Sequence, residues 1–454
     1  MMKRFFPLLF WVYPTLFVLL LGTSCSDRNE VVSELPAPKE LYIPDTVWMV
    51  PPGNDYTCDT SEFAFARMRQ SENIALFWSK EYGTDPTAHP DTLKRFRVDE
   101  LVAEGDRIYR YYVDTMQFVE KGKSVSDRYK QLIYIIGGEG GTAFGGGEDE
   151  KVGIFWAPAV RMHKPPYGAL AHEMGHSFQY FLKADSFPTF TVGYAMYEMT
   201  CQYMLWQVYP EWMTFENYHL VDFMKQTHYA FLHEINMYHS PYVLEYWSDK
   251  HGPDFIGKLW REAREGEDAV ETYQRITEIG QEEFNDEIFD AARRFITWDL
   301  KRIQEVARPY RNQHSCLLDS VGGGWYRVAE SRCPQDYGYN GIRLAVPETR
   351  RTIRLQFKGI PGADGFHVVD AERAGWRYGF LAYTSEGKRV YGAMHSASEG
   401  EAGFKVPANT EYLWLVVTGA PAKHEQRKMS RRGEGNADEQ WPYEIKLTGT
   451  SLLQ

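Results

Sequence analysis

Apolar residues fall along the chain in three textures. In the first third they form short unbroken runs at 74–78, 132–136 and 152–157, the pattern of strands buried on both faces. Between the first two runs, Leu101, Ile108, Tyr112 and Val119 recur at helical spacing and predict a helix within 98–119. Residues 137–147 read Gly-Gly-Glu-Gly-Gly-Thr-Ala-Phe-Gly-Gly-Gly. They predict a loop of mobile backbone, without the Lys-Ser/Thr ending of a phosphate-binding loop. The middle of the chain is helical. One helix begins at Pro165-Pro166 and runs to about 183, and a second covers about 193–209 and stops at Pro210. Others cover 215–233, 241–249, 254–265 and 269–304. Beyond Cys316 the texture becomes strand-like, with runs at 341–346, 352–357, 378–383, 388–393, 403–406, 412–417 and 443–447 between Gly, Pro and Asn. Such spacing predicts an antiparallel β-sandwich. The expected fold class is α+β: a small sheet plus a helical subdomain over 53–310, then an all-β sandwich over 311–454.

The N-terminus carries a different pattern. Lys3 and Arg4 precede an apolar run from Phe5 to Leu21, a secretion signal over 1–24 that takes no part in the fold. The run ends at Leu21-Gly22-Thr23-Ser24-Cys25. This looks like a bacterial lipoprotein cleavage site with Cys25 as the lipidated first residue, although Gly22 stands where such sites usually carry Leu. Residues 25–52 are polar and proline-bearing, and read as a tether. No later stretch reaches the ~20 apolar residues of a membrane span. The expected location is the cell envelope, with the membrane reached only through the lipid. Loss of residues 1–24 removes two cations and no acid, taking the net charge from −12 to −14. So acidic a body argues against nucleic acid as a partner. Aromatics at 15% are numerous enough to line a cleft for sugars or peptides as well as the core. Among the remaining cysteines, Cys316 and Cys333 flank a Gly-rich turn and are the first pair to test for a disulfide. Cys201 lies in an apolar helical stretch and reads as a buried free thiol.

His172-Glu173-Met174-Gly175-His176 carries chemistry. Residues four apart share a helix face, so both imidazoles can reach one zinc ion. Glu173 then projects beside the metal, where it can take a proton from water and later deliver it to a leaving amine. Leu170, Met174 and Phe178 form the apolar face that packs the helix. Gly175 is costly inside a helix, and a small residue there allows another backbone to approach. A third ligand is needed. In the pattern HExxHxxGxxH it would follow closely, but Gln179 and Leu182 occupy the Gly and His positions. Glu198, 22 residues beyond His176, suits a helix end, a turn and a return helix. Asp185 is the alternative.

HEMGH followed by Glu198 in a helical context resembles the gluzincin metallopeptidases. Residues 72–304 also resemble a gluzincin-like family of bacterial lipoproteins and secreted proteins known mainly by its HExxH motif. The stretch 71–78, the Gly-rich segment and the ending Trp441-Pro442-Tyr443-Glu444-Ile445-Lys446-Leu447 fit that family too. The resemblance implies Zn²⁺ held by His172, His176 and Glu198, with Glu173 as catalytic base. It also implies that Gly153, Ile154, Phe155, Trp156 and Ala157 form the edge strand that pairs with substrate backbone. Residues 238–244 resemble the segment that carries an oxyanion-binding Tyr in the aminopeptidase branch, with Pro241 where that branch has Gly. This implies Tyr238 in that role, with His239 and Tyr242 as alternatives. Gln202, one turn after Glu198, can hold a ligand imidazole by its second nitrogen. The Gly-Ala-Met-Glu-Asn strand of aminopeptidases is absent, and 153–157 offer no acid for a free N-terminus. Cleavage within a chain is the expectation, with a peptide, protein or glycoprotein as substrate. The rival expectation is an envelope protein that binds glycan or peptide and carries a structural or inactive zinc site. A retained Glu173 argues against it, because a structural site needs no base.

Overall fold

A computed structural model of the chain describes residues 38–190, 194–349, 351–427 and 438–453. The signal segment and Cys25 lie outside them. Strands β1 (Met68–Gln70) and β2 (Ile74–Trp78) pair first. Helix α1 (Val98–Arg110) follows and runs into a π-helical turn at Tyr111–Thr115. Strands β3 (Gln131–Ile136), β4 (Phe144–Glu148) and β5 (Val152–Pro158) complete a sheet ordered β1-β2-β3-β5-β4. The central β2, β3 and β5 are parallel, and the two edges are antiparallel. The apolar runs are unbroken because both faces are covered. Ile74, Leu76, Ile133 and Phe155 face the helices. Phe77, Leu132, Ile154 and Trp156 face a second core that Val47 and Phe63 close. Part of the expected tether is therefore cover for the sheet. Leu41, Tyr42, Ile43 and Val50 pack on that core, and Trp48 meets Phe144 and Trp156 edge-on at 4.9 and 5.3 Å. Apolar residues interleaved with the prolines make residues 39–52 part of the body.

The edge strand is not the one expected. Gly153–Ala157 lie within β5, hydrogen-bonded on both sides. The outer edge is β4, which occupies part of the segment whose glycines predict a loop. Glycine is required there because β4 lies flush on the next helix. A Cβ at Gly145 would sit 2.3 Å from the carbonyl oxygen of Glu173 and 2.7 Å from Cβ of His176, and one at Gly147 would enter the Tyr180 ring. A Cβ at Gly146, on the other face, would meet nothing within 4 Å. Gly145→Ala is accordingly expected to destabilise the protein by about 1–3 kcal/mol and Gly146→Ala far less. Thermal denaturation of the two variants checks this, and equal melting temperatures would overturn the packing argument.

Helices α2 (Ala159–Met162), α3 (Gly168–Ala184), α4 (Ala195–Val208), α5 (Trp212–Phe215), α6 (Asn217–Lys225), α7 (Tyr242–His251), α8 (Phe255–Arg261), α9 (Ala269–Thr277) and α10 (Gln281–Phe295) make the middle of the molecule. The helix expected over 215–233 ends at Lys225 and gives way to turns. The one expected over 269–304 breaks where Glu278 takes a left-handed φ of 59° and Gly280 starts α10.

Strands β6 (Leu318–Gly322), β7 (Trp325–Val328), β8 (Tyr339–Leu344), β9 (Thr352–Gly359), β10 (Trp376–Thr384), β11 (Arg389–Tyr391), β12 (Glu399–Lys405), β13 (Thr410–Gly419) and β14 (Tyr443–Thr448) form two antiparallel sheets. Their orders are β11-β10-β13-β8 and β12-β9-β14-β7-β6. In β9, Ile353, Leu355 and Phe357 are buried between exposed neighbours, the alternation of a strand with one face to solvent. β13 differs. Leu413, Leu415 and Val417 face the other sheet, whereas Trp414 and Val416 join the core of the helices. Arg377 of β10 also bonds Asp286 and Glu282 of α10 at 2.6 Å each. The four-stranded sheet is thus a middle layer between helices and the outer sheet, and 39–454 form one compact unit. The fold class is α+β. Cys58, Cys201, Cys316 and Cys333 are free thiols, with Cys201 buried.

Candidate metal centre

Helices α3 and α4 bring the site together. α3 buries Leu170, Met174 and Phe178 on one side, and the Tyr112 hydroxyl donates to the Ala171 carbonyl just ahead of the motif at 3.0 Å. α4 is apolar nearly all round and buried accordingly. The two helices touch at Gly175, where a Cβ would come within 3.3 Å of the Cys201 Cα. That close approach sets Glu198, one turn earlier on α4, against both histidines. Its Oε2 lies 3.2 Å from His172 Nε2 and 3.2 Å from His176 Nε2. A tetrahedron with metal–ligand bonds of about 2.0–2.1 Å has an edge of roughly 3.3 Å, so Glu198 Oε2 stands from each imidazole nitrogen at the spacing of two ligands on one ion. Two imidazoles and a carboxylate are a donor set that zinc takes.

Hydrogen bonds to the far ring nitrogens support this fit. His172 Nδ1 lies 3.0 Å from Gln202 Oε1, and His176 Nδ1 lies 2.9 Å from Gln179 Oε1. An amide oxygen only accepts, so each Nδ1 carries a proton; each Nε2 faces Glu198, donates to it without a metal, and is the nitrogen that would give up its proton to bind an ion. Gln179 Nε2 donates in turn to the Tyr197 carbonyl at 2.9 Å. Sequence reasoning places Gln202 but passes over Gln179. The available signal is its position three residues after His176 on one helix face.

Glu173 also brings a carboxylate oxygen within 4.8 Å of both imidazole donors, but the shorter distances belong to Glu198. Their electrostatics separate the two acids. Burial alone would raise the Glu198 carboxyl, yet hydrogen bonds from His172 and His176 outweigh it and hold the group well below the ordinary carboxylate range. Glu173 is 8% exposed, and burial raises its pKa despite the neighbouring histidines. The two neighbouring acids are thus shifted in opposite directions, Glu198 towards its anion and Glu173 towards its neutral form. Burial pushes the Cys201 thiol up to about 11, so the thiol is neutral beside His176.

A cleft of about 590 Å³ opens over these groups, bounded by Phe144 and Gly145 of β4, Arg161, Tyr194, Glu216 and Tyr238. Tyr238 is 37% exposed, with its ring centroid 6.3 Å from that of His172. Burial and the Glu198 carboxylate raise its pKa, so the hydroxyl keeps its proton. The other candidates lie elsewhere. Asp185 accepts from the Val125 amide at 2.8 Å, Tyr242 is fully buried in the helical core, and His239 meets His219. Of the expected strand 153–157, none borders the cleft, because β4 stands between.

Fold and site together define an α+β protein with a helix-borne His-Glu-His group that could hold a metal ion and a further acid, Glu198, 3.2 Å from both imidazoles. The chain belongs to a family of unknown function, DUF6055, whose model matches residues 34–454. No curated protein matches it in sequence. One matching solved structure is the Yersinia pseudotuberculosis-derived mitogen, at 10% identity over 30% of this chain and 86% of that one, with a TM-score of 0.17.

Proposed function

We propose that the protein is a zinc-dependent metallopeptidase of the gluzincin type, held in the bacterial cell envelope by a lipid on Cys25. The observation that carries this reading is the meeting of His172 Nε2 and His176 Nε2 on one oxygen of Glu198, with a second buried acid, Glu173, beside them. Zinc in this donor set would polarise a substrate carbonyl and bring a water's pKa to about 7. Glu173 takes the proton from the attacking water on a carboxylate oxygen and passes it to the leaving amine. Tyr238 donates its hydroxyl hydrogen to the oxyanion. Gln202 and Gln179 hold the two imidazoles in the tautomer that leaves Nε2 free. The free edge of β4, rather than β5, is the strand that would pair with an extended peptide, and the substrate would be a protein or glycoprotein cut within its chain.

The test uses the soluble body from Asp27 onward. Elemental analysis is expected to give one zinc per chain. Chelation should abolish cleavage of denatured proteins or mucin-type glycoproteins, and added zinc should restore it. A protein that carries zinc but cuts nothing across a broad substrate panel would overturn the peptidase reading. Cleavage that survives complete metal removal would overturn its mechanism.

A further inference from the structure

Behind the site a chain of polar contacts leads away from His172. Gln202 accepts from His172 through Oε1 at 3.0 Å. Its Nε2 lies 2.8 Å from the Tyr238 backbone carbonyl and 3.1 Å from His219 Nε2. His219 sits on α6, is 7% exposed, and is stacked on Trp212 at 5.4 Å between centroids. Its Nδ1 lies 2.7 Å from His239 Nδ1.

With the Gln202 amide oxygen on His172, hydrogen-bond chemistry allows one assignment of these protons. An amide nitrogen only donates, so His219 Nε2 must accept from Gln202. A neutral His219 then carries its proton on Nδ1 and donates it to His239 Nδ1, which accepts. Both Gln202 amide hydrogens are used, one on the Tyr238 carbonyl and one on His219. Turning the amide over would set its oxygen against the Tyr238 carbonyl, which only accepts, would require the His219 proton to move to Nε2 and His239 to donate in its place, and would set the NH₂ against His172. His172 would then have to accept at Nδ1, move its proton to Nε2 and lose its lone pair towards the metal position. The orientation of Gln202 therefore decides whether His172 can ligate, and His219 and His239 help to fix that orientation.

We propose that His219 and His239 are positioning residues for the His172 ligand, acting through Gln202. The proposal rests on the metal reading above. It concerns residues 17 and more positions away along the chain from Gln202, on elements that contribute no metal ligand. A histidine pair packed only for its ring volume would tolerate an apolar replacement of similar size. A pair that holds proton positions would not.

The experiment compares His239→Leu, His239→Asn and His219→Phe in the full soluble body. It reads zinc affinity by competition with a chromophoric chelator, and the melting temperature of the metal-free protein. Asn can present an acceptor oxygen close to the place of Nδ1, and Leu cannot. His219→Phe and His239→Leu are expected to weaken zinc binding by about tenfold or more, with the metal-free melting temperature little changed. His239→Asn is expected to stay within about threefold of wild type. Wild-type affinity in both His239→Leu and His219→Phe would overturn the proposal, as would equal losses in His239→Leu and His239→Asn. A wild-type protein that takes up no zinc would overturn the metal reading itself, and this proposal with it.

Discussion

Glu173→Gln is expected to keep zinc and fold while losing peptide hydrolysis by about 100- to 10,000-fold. Glu173 is not needed to hold the ion, because the shortest donor separations run from Glu198 to the two imidazoles. Gln fills nearly the same volume and can still accept a hydrogen bond, so the buried position on α3 should repack little. What it cannot do is accept a proton from water at neutral pH. Steady-state cleavage of the best substrate, alongside zinc analysis of the same samples, checks both halves of the expectation. Equal rates for wild type and variant would point to another base or to a contaminating protease. Loss of zinc from the variant would make Glu173 a ligand and reverse the roles of the two acids.

The other large effect is expected at Glu198. A site with three protein ligands that loses one gives up about 3 kcal/mol or more of binding free energy, a weakening on the order of 100-fold. Glu198→Ala should show this in chelator competition. Asp185→Ala should bind zinc as wild type does, because Asp185 accepts from the Val125 amide and stands outside the cleft. Normal affinity in Glu198→Ala would remove the gluzincin reading even if HEMGH still bound the ion. Glu198 is also held as a carboxylate by its two histidines in the metal-free protein, so its loss should lower the stability of that form as well.

Much of the site is legible along the chain because its parts are set by helical arithmetic. His172 and His176 share a face at a spacing of four, and so do Glu198 and Gln202. The two helices are joined by a short connection, which limits where Glu198 can go. The parts that escape are those fixed by packing between distant segments. A run of glycines reads as a loop until the helix beneath it is known; then Gly145 and Gly147 are the residues that let β4 lie on α3. His219 approaches Gln202 and His239 approaches His219 from separate elements, and nothing in their sequence spacing announces it. In the C-terminal part, β9 shows its alternation plainly. β10 and β13 read as apolar runs because they are covered on both sides, which hides that their sheet is a middle layer.

That middle layer bears on how such a chain can be inherited. Trp414, Val416 and Leu381 belong to the same core as the helices that carry the metal ligands, while their strand neighbours belong to the core of the outer sheet. A genetic exchange at residue 310 would separate residues that cover one another, leaving apolar faces bare on both fragments. Substitutions on β13 and on α10 are therefore expected to act on one another's stability rather than independently.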